Sequence, residues 1–180
     1  MANRRLLRDL ETGTVSLKEE LDIHIAADPK EIRRVHFVLP GAEDSPFEGG
    51  LYHGMLFMNE RHPFGPPSIY MFTPSGRFEA SRYPINSNDR GICTTQSAFH
   101  PETWRPIMSI YTVLVGFASY MTDLEEQWTG ILENVSKREM KELAIASHEN
   151  LKRDEMFKRL FPELSQEVIE GTYVPHKVTK

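Results

Sequence analysis

The chain has 180 residues, of which 39% are hydrophobic and 26% charged, a composition typical of a globular domain and not of a disordered protein. Its formal net charge of -5 excludes a general attraction to nucleic acid or to an anionic membrane. Cys93 is the only cysteine, which excludes an intrachain disulfide and a multi-cysteine zinc site. The sequence has no metal-ligand spacing and no glycine-rich phosphate loop, so neither a metal nor a cofactor is expected.

The first half of the chain predicts one helix followed by four strands. Leucines at helical spacing predict a short amphipathic helix over residues 3–11, with arginines on its outer side. Alternating apolar and polar residues predict a first strand over 21–25 and a second strand around Phe37. Two further strands are predicted over 51–58 and 68–72. Short connections between sequential strands favour an antiparallel meander.

The second half predicts helices that follow a long irregular segment. Residues 73–105 are rich in Pro, Ser, Asn and Gly, and irregular segments of this length in a compact domain are often functional. An apolar run over 107–121 predicts a buried helix, and a capping box at Ser136 predicts the start of another. A further helix is predicted to end before Pro162, and a polar tail with weak order to follow it. The fold class is therefore α+β.

Cys93 lies inside the irregular segment and outside any apolar periodic element. A single thiol is most often a small buried hydrophobe, but its small or polar neighbours Gly91, Thr94 and Thr95 favour an accessible sulfur. A cysteine hydrolase places a histidine against its sulfur to raise the thiolate fraction. His100 is the nearest histidine in the sequence, and as a loop histidine it equally fits a structural hydrogen bond.

Two asparagines lie shortly before the cysteine in the irregular segment. The side-chain amides of Asn86 and Asn88 could donate hydrogen bonds to an oxyanion at a carbonyl bound to Cys93. Asparagine in a loop is more often a turn former, so the pattern alone leaves both interpretations open.

Four motifs follow one another along the chain: Phe47-Glu48-Gly49-Gly50-Leu51-Tyr52, His62-Pro63-Phe64-Gly65-Pro66-Pro67, a cysteine, and Trp104-Arg105-Pro106 before an apolar helix. Each is common alone, but in this order and at these separations they resemble the ubiquitin-conjugating enzyme family over almost the whole domain. The resemblance implies an N-terminal helix, a four-stranded antiparallel meander sheet, a long active-site loop and C-terminal helices. It also implies a catalytic domain over residues 1–162 and a polar C-terminal tail over 163–180.

A closer resemblance is to the J-type group of this family, whose best-known members are tail-anchored in the endoplasmic reticulum membrane and serve protein degradation there. The segment 68–78 is similar to the one that this group has in place of the usual His-Pro-Asn, and Phe99-His100-Pro101-Glu102-Thr103-Trp104 resembles its distinctive turn. No run of about 20 apolar residues is present to serve as an anchor. The expected location is the cytoplasm, or the cytosolic face of the endoplasmic reticulum if a C-terminal anchor has been removed.

The resemblance implies acyl transfer on Cys93. The thiol takes ubiquitin from an activating enzyme in an ATP-dependent pathway. It then gives ubiquitin to a lysine, or to a serine or threonine, of a substrate protein, with the help of a RING-type ligase. Because the thioester is already activated, the protein has to supply an accessible sulfur, oxyanion donors and a positioned nucleophile.

The same resemblance implies two docking surfaces. Ligases dock on the loop that carries Phe64 and on the loop that carries Pro106 and Ile107. The activating enzyme docks on the basic residues of the first helix, which are Arg4, Arg5 and Arg8. Judged from the residues alone, Phe64 equally fits a packed proline loop, and the arginines equally fit a solvated helix face.

The sequence departs from the family pattern near the cysteine. Ser75 stands where the family has an asparagine, so we expect another oxyanion donor, and Asn86 is the hypothesised replacement. Thr95 stands where most members have an aspartate, which leaves His100 as a candidate base for the incoming nucleophile.

Three other functions stay open at this point. One is a catalytically inactive scaffold of the same fold that binds ubiquitin or a partner, although such variants usually lack the cysteine. A thiol hydrolase is the second, although the histidine signal for it is weak. The third is conjugation of another ubiquitin-like protein.

Replacement of Asn86 by alanine is expected to slow the discharge of ubiquitin from Cys93 and to leave loading intact. The reason is that one oxyanion donor is worth about 3 kcal/mol at the transition state. The measurement is the decay of the preformed thioester in the presence of free lysine. Undiminished discharge would remove this role for Asn86.

Overall fold

The computed structural model describes residues 4–85, 91–125 and 130–175. These parts of the chain contain five helices and four strands, which confirms the α+β class. The helices are α1 (Arg4–Leu21), α2 (Ile110–Thr122), α3 (Lys137–Lys152), α4 (Glu155–Leu160) and α5 (Pro162–Glu170). The strands are β1 (His24–Asp28), β2 (Glu31–Pro40), β3 (Leu51–Phe57) and β4 (Ser68–Met71). No helix among the described residues combines the length and the apolar character needed to cross a bilayer.

The strands form the predicted antiparallel meander, in the order β1-β2-β3-β4. One face of the sheet packs against α1 and α2, and on this face Phe37 meets Phe117 of α2 edge to face at 5.8 Å between ring centroids. Gly54, which pairs with Phe37, makes room for that ring, because a Cβ at Gly54 would lie 2.4 Å from it. The inner face of the sheet is thus closed by aromatic packing against α2.

Helix α1 is longer than predicted, and the expected strand over 21–25 begins only at His24. The residues that follow position 11 are weak helix formers, and for this reason the sequence predicts that the helix ends there. Packing overrides that local preference, because Gly13 is buried and a Cβ there would lie 3.4 Å from Ile25 and 3.9 Å from Ile110. Asp22, with φ 53, then turns the chain into β1.

The C-terminal helices form a second apolar cluster on the other face of the sheet. The capping box at Ser136 and the helix that ends before Pro162 are as predicted. The prediction of a weakly ordered tail is wrong through residue 170, because Pro162–Glu170 form α5. Leu164 and Val168 of this helix are buried in the second cluster. The packed part of the chain therefore extends beyond residue 162.

A buried histidine pair ties this face of the sheet to α4. His36 Nδ1 lies 2.8 Å from His53 Nε2, and His53 Nδ1 lies 2.6 Å from a carboxylate oxygen of Asp154, which caps α4. Since a carboxylate only accepts, His53 Nδ1 donates to Asp154, and Nε2 of a neutral His53 then accepts from His36 Nδ1. Burial, and then the neighbouring His53, lower the pKa of His36 to about 3. Burial, the largest single influence, acts to raise the pKa of Asp154, but the hydrogen bond and charge of His53 together with the N–H groups of Phe157 and Met156 lower that pKa overall.

This network predicts a loss of stability in mild acid. Below the ordinary histidine pKa of 6.5 the unfolded chain takes up a proton on His36, whereas the folded chain does so only near a pKa of about 3. The free energy of unfolding should therefore fall by about 1.4 kcal/mol for each pH unit below that point. The lowered pKa of Asp154 acts in the same direction at lower pH.

The measurement is denaturant unfolding at about pH 7.5 and about pH 5.5 for the wild type and for His36→Asn. Asparagine keeps a donor near the position of Nδ1 but does not titrate. The variant should lose most of the difference between the two pH values. An equal difference in both proteins would contradict this role for His36.

Candidate active site

The backbone before Cys93 is pressed against β4. The Ile92 N–H donates to the Ile69 carbonyl at 2.8 Å, which attaches the chain directly before Cys93 to β4. Gly91 has φ 71, and a Cβ there would lie 2.4 Å from the Ile69 oxygen, so this approach requires glycine. One side of the cysteine is therefore fixed by the sheet.

The chain after Cys93 turns back on itself. The Ser97 hydroxyl accepts from the Thr94 N–H at 3.0 Å and donates to the Thr94 carbonyl at 2.9 Å. The His100 N–H then donates to the Ser97 carbonyl at 3.0 Å, and the Thr103 hydroxyl donates to the His100 carbonyl at 2.8 Å. These turns bring His100 back beside the cysteine.

Cys93, His100 and Glu102 form a hydrogen-bonded row. Cys93 Sγ lies 3.2 Å from His100 Nε2, and His100 Nδ1 lies 3.0 Å from Glu102 Oε1. Because the carboxylate only accepts, Nδ1 carries a hydrogen, and Nε2 of the neutral ring accepts from the thiol. A hydrogen bond from its own backbone N–H, and then the bond to His100, hold the pKa of the Glu102 carboxyl below its usual range.

This row has the order nucleophile, base and orienting carboxylate. The sequence pointed to Cys93 and His100 but missed Glu102. The available signal was its position two residues after His100, inside a turn with proline that can fold a carboxylate back onto the ring.

The sulfur is covered, which contradicts the expectation of an open thiol. Cys93 is only 5% exposed, whereas 28% of the His100 side chain is exposed above it. The hydrogen bond at 3.2 Å places the imidazole directly against the sulfur. Reaction at Cys93 therefore requires the surroundings of the sulfur to open.

The candidate oxyanion donors have different positions. Ser75 is fully buried, and its hydroxyl accepts from the N–H groups of Arg77 at 3.2 Å and Phe78 at 3.3 Å. It therefore stabilises a turn, and its role as an oxyanion donor stays a prediction. Asn86 lies outside the described residues, and its role stays a prediction.

The two loops expected to bind a ligase present exposed apolar side chains. Phe64 is 75% exposed and Ile107 is 85% exposed, which excludes the packed-loop interpretation of Phe64. Pro106 beside Ile107 is also exposed. The Trp104 indole N–H donates to the Pro63 carbonyl at 2.7 Å, so the two loops are neighbours.

The arginines of α1 do not form one surface. Arg4 and Arg8 are exposed, as expected for a docking or solvated face. Arg5 is half-buried, and its guanidinium contacts Asp9 of the same helix and the carbonyl of Pro106. The structure thus separates Arg5 from the other two.

A groove of about 280 Å³ lies between the residues after Cys93 and helix α2. Its lining consists of Thr94, Thr95, Gln96, Gly116, Phe117, Tyr120 and Asp123. A Cβ at Gly116 would lie 2.9 Å from the Gln96 side chain, so glycine allows the two walls to approach. Among the described residues, no cluster of three His, Cys, Asp or Glu side chains could hold a metal ion.

Replacement of His100 by alanine is expected to speed the alkylation of Cys93 by iodoacetamide about fivefold, since one hydrogen bond is worth about 1 kcal/mol. Cys93 is the only thiol, so the mass of the alkylated protein reports this one site. The matched control is His148→Ala, which removes a histidine on α3 that bonds the Gly49 carbonyl. A slower rate in His100→Ala would show that the loss of the proton acceptor outweighs the loss of cover, and would contradict a net protective role of the ring.

Sequence comparisons agree on one family. The family model described as ubiquitin-conjugating enzyme matches residues 5–144. A protein of Acanthamoeba polyphaga mimivirus, named a probable ubiquitin-conjugating enzyme E2, is 44% identical over 178 residues, which are 99% of this chain and 46% of the viral protein. Human ubiquitin-conjugating enzyme E2 J2 is 37% identical over 169 residues, which are 93% of this chain and 60% of the human protein. The chain thus spans about half of the one relative and three fifths of the other.

A shorter relative is matched over most of its length. The E2 J2-like protein of Dictyostelium discoideum is 36% identical over 146 residues, which are 81% of this chain and 80% of that protein. Among solved structures, a Toxoplasma gondii ubiquitin-conjugating enzyme E2 domain superposes with a TM-score of 0.52 at 20% identity. That match covers 81% of this chain and 88% of the other, and it shows the shared fold. The chain belongs to the ubiquitin-conjugating enzyme family.

Proposed function

We propose that the chain accepts ubiquitin from an activating enzyme as a thioester on Cys93. It then transfers ubiquitin, with a RING-type ligase, to a lysine or a hydroxyl of a substrate protein. The observation that carries this proposal is the row of Cys93, His100 and Glu102, in which the only thiol of the chain has a proton acceptor at 3.2 Å. Membership of the family supports the identity of the cargo.

Loading is a thioester exchange. The Cys93 thiol gives its proton to His100 Nε2, and the thiolate attacks the carbonyl carbon of the thioester on the activating enzyme. The new carbon–sulfur bond forms as the old one breaks, and the leaving thiolate of the activating enzyme takes up a proton. The protonated ring then moves away from the sulfur as the thioester of the activating enzyme approaches. Between cycles the buried position of Cys93 protects the free thiol.

Discharge makes a second use of the same imidazole. An acylated sulfur has no hydrogen to donate, so Nε2 becomes available to the incoming nucleophile. An amine or a hydroxyl gives its proton to Nε2 as it attacks the thioester carbon, and Cys93 leaves as a thiolate that recovers the proton. Glu102 keeps the hydrogen on Nδ1 during this exchange. A hydroxyl is the weaker nucleophile and gains more from the base than an amine does.

The groove beside the cysteine suits an extended cargo tail. It begins at Thr94, directly after Cys93, and runs along α2 to Asp123. A peptide that ends in a thioester on the sulfur would leave the site along this groove. The polar side chains in its lining, which include Thr95 and Gln96, offer hydrogen-bond partners to a peptide backbone.

The resemblance to the J-type group, with which the similarity to E2 J2 proteins agrees, supports a place for the chain in degradation associated with the endoplasmic reticulum. The expected location is the cytosolic face of that membrane or the cytoplasm. Substrate proteins would then be presented by a ligase that binds Phe64 and Ile107, while the activating enzyme binds the exposed Arg4 and Arg8 of α1.

The direct test is incubation with activating enzyme, ATP and ubiquitin, followed by a non-reducing gel. The wild type should form an adduct that is about one ubiquitin larger and that a thiol reductant removes. Cys93→Ser should form an adduct that resists the reductant, because an oxygen ester has replaced the thioester. Cys93→Ala should form none.

Other outcomes of this incubation would support one of the three alternative functions. An adduct with a ubiquitin-like protein but not with ubiquitin would change the cargo. The absence of any adduct from a folded protein would indicate an inactive scaffold. Cleavage of ubiquitin esters without any activating enzyme would indicate a thiol hydrolase.

A further inference from the structure

Asp9 lies where helix α1 meets the loop that follows β3, and its side chain is buried. One carboxylate oxygen, Oδ1, lies 2.7 Å from Arg5 Nε, and the other, Oδ2, lies 2.9 Å from His62 Nε2. His62 is buried as well. A buried carboxylate needs partners for both oxygens. Here one partner is a turn earlier in α1, and the other belongs to the loop that presents Phe64.

Arg5 extends this contact to the second loop. Its Nη1 donates to the Pro106 carbonyl at 3.0 Å, and its Nη2 lies 3.4 Å from the Ile107 carbonyl and 3.2 Å from the Met108 carbonyl. A guanidinium fork makes these contacts together with the one to Asp9, whereas a lysine ammonium is a single point donor. Asp9 fixes the orientation of the fork, and the fork holds the loop.

The two loops also contact each other. The Trp104 indole donates to the Pro63 carbonyl at 2.7 Å, and the rings of His62 and Trp104 lie 6.4 Å apart between centroids. Neighbouring loops that expose Phe64 and Ile107 have the aromatic and aliphatic anchors of a docking surface. Asp9 and Arg5, which contact both loops, therefore set the relative position of Phe64 and Ile107.

We propose that Asp9 and Arg5 are positioning residues for ligase docking: they hold both loops in the one arrangement in which Phe64 and Ile107 bind a RING-type ligase together. This inference rests on the proposed function. It moves Arg5 away from the surface expected to bind the activating enzyme, since its guanidinium is held by Asp9 and by carbonyls of the second loop. Arg4 and Arg8 keep that expected role.

The first test measures the loops themselves. Amide hydrogen exchange of the full chain, followed by mass spectrometry, compares the wild type with Arg5→Lys and Asp9→Asn. Both variants should exchange faster in peptides covering 58–67 and 104–108, on the order of tenfold, and unchanged in β2 and β3. The matched control is Arg138→Lys, which changes an arginine that pairs with Glu142 one turn along on the exposed face of α3.

Arg138→Lys should leave both loops as in the wild type. Unchanged exchange in the loops of Arg5→Lys and Asp9→Asn would overturn the proposal. A change confined to one of the two loops would overturn it as well, because a shared anchor must release both.

The second test measures docking. Ubiquitin discharge from Cys93 is followed with and without a RING domain that accelerates the wild type. Asp9→Asn should lower the RING-stimulated rate on the order of tenfold and leave loading and RING-free discharge onto free lysine at the wild-type values. In a Phe64→Ala background, Asp9→Asn should lower the RING-stimulated rate little further, because Asp9 acts by positioning Phe64 and Ile107.

Additive losses in the double variant, or equal losses with and without the RING domain, would contradict a positioning role. Failure of the wild type to load ubiquitin would instead contradict the proposed function. The exchange measurement would still decide whether Asp9 and Arg5 hold the loops.

Discussion

The hydrogen bond between the Cys93 thiol and the His100 imidazole decides what the candidate site can do. The same contact limits access to the sulfur and supplies a proton acceptor at the reacting atom. Its geometry depends on parts of the fold on either side. The attachment of Ile92 to β4 fixes the cysteine, and the turn centred on Ser97 returns the histidine to it. Glu102 then selects the tautomer in which Nε2 accepts from the thiol.

Features with a local cause could be predicted from the sequence. The meander followed from alternating strands and short connections, and the start of α3 followed from the hydrogen bonds that Ser136 makes with Glu139. The likeness of several short motifs to one family placed Cys93 in the functional site, and the comparisons confirm that family. The exposure of Phe64 was one of two interpretations that the proline-rich loop allowed, and the structure selects it.

Features with a distant cause could not be predicted. The second half of α1 is helical because Gly13 packs against residues far along the chain, which its local preference does not reveal. The different surroundings of Arg5 and Arg4 depend on a loop about a hundred positions away, although the two arginines are adjacent in sequence. The burial of Cys93 beside the His100 ring depends on the fold of a whole loop. The small polar residues next to Cys93 in the sequence do not reveal that this loop brings His100 back to the sulfur. Burial of α5 likewise required its partner cluster on the sheet.

The central claim is that His100 accepts the proton of the nucleophile that attacks the thioester on Cys93. The most direct measurement is the single-turnover discharge of ubiquitin onto glycerol as a function of pH, because the hydroxyl of glycerol does not titrate in this range. The wild-type rate should follow the deprotonation of one group, and this dependence should vanish, together with most of the rate, in His100→Ala. The same pH profile in both proteins would show that another group, or none, removes the proton.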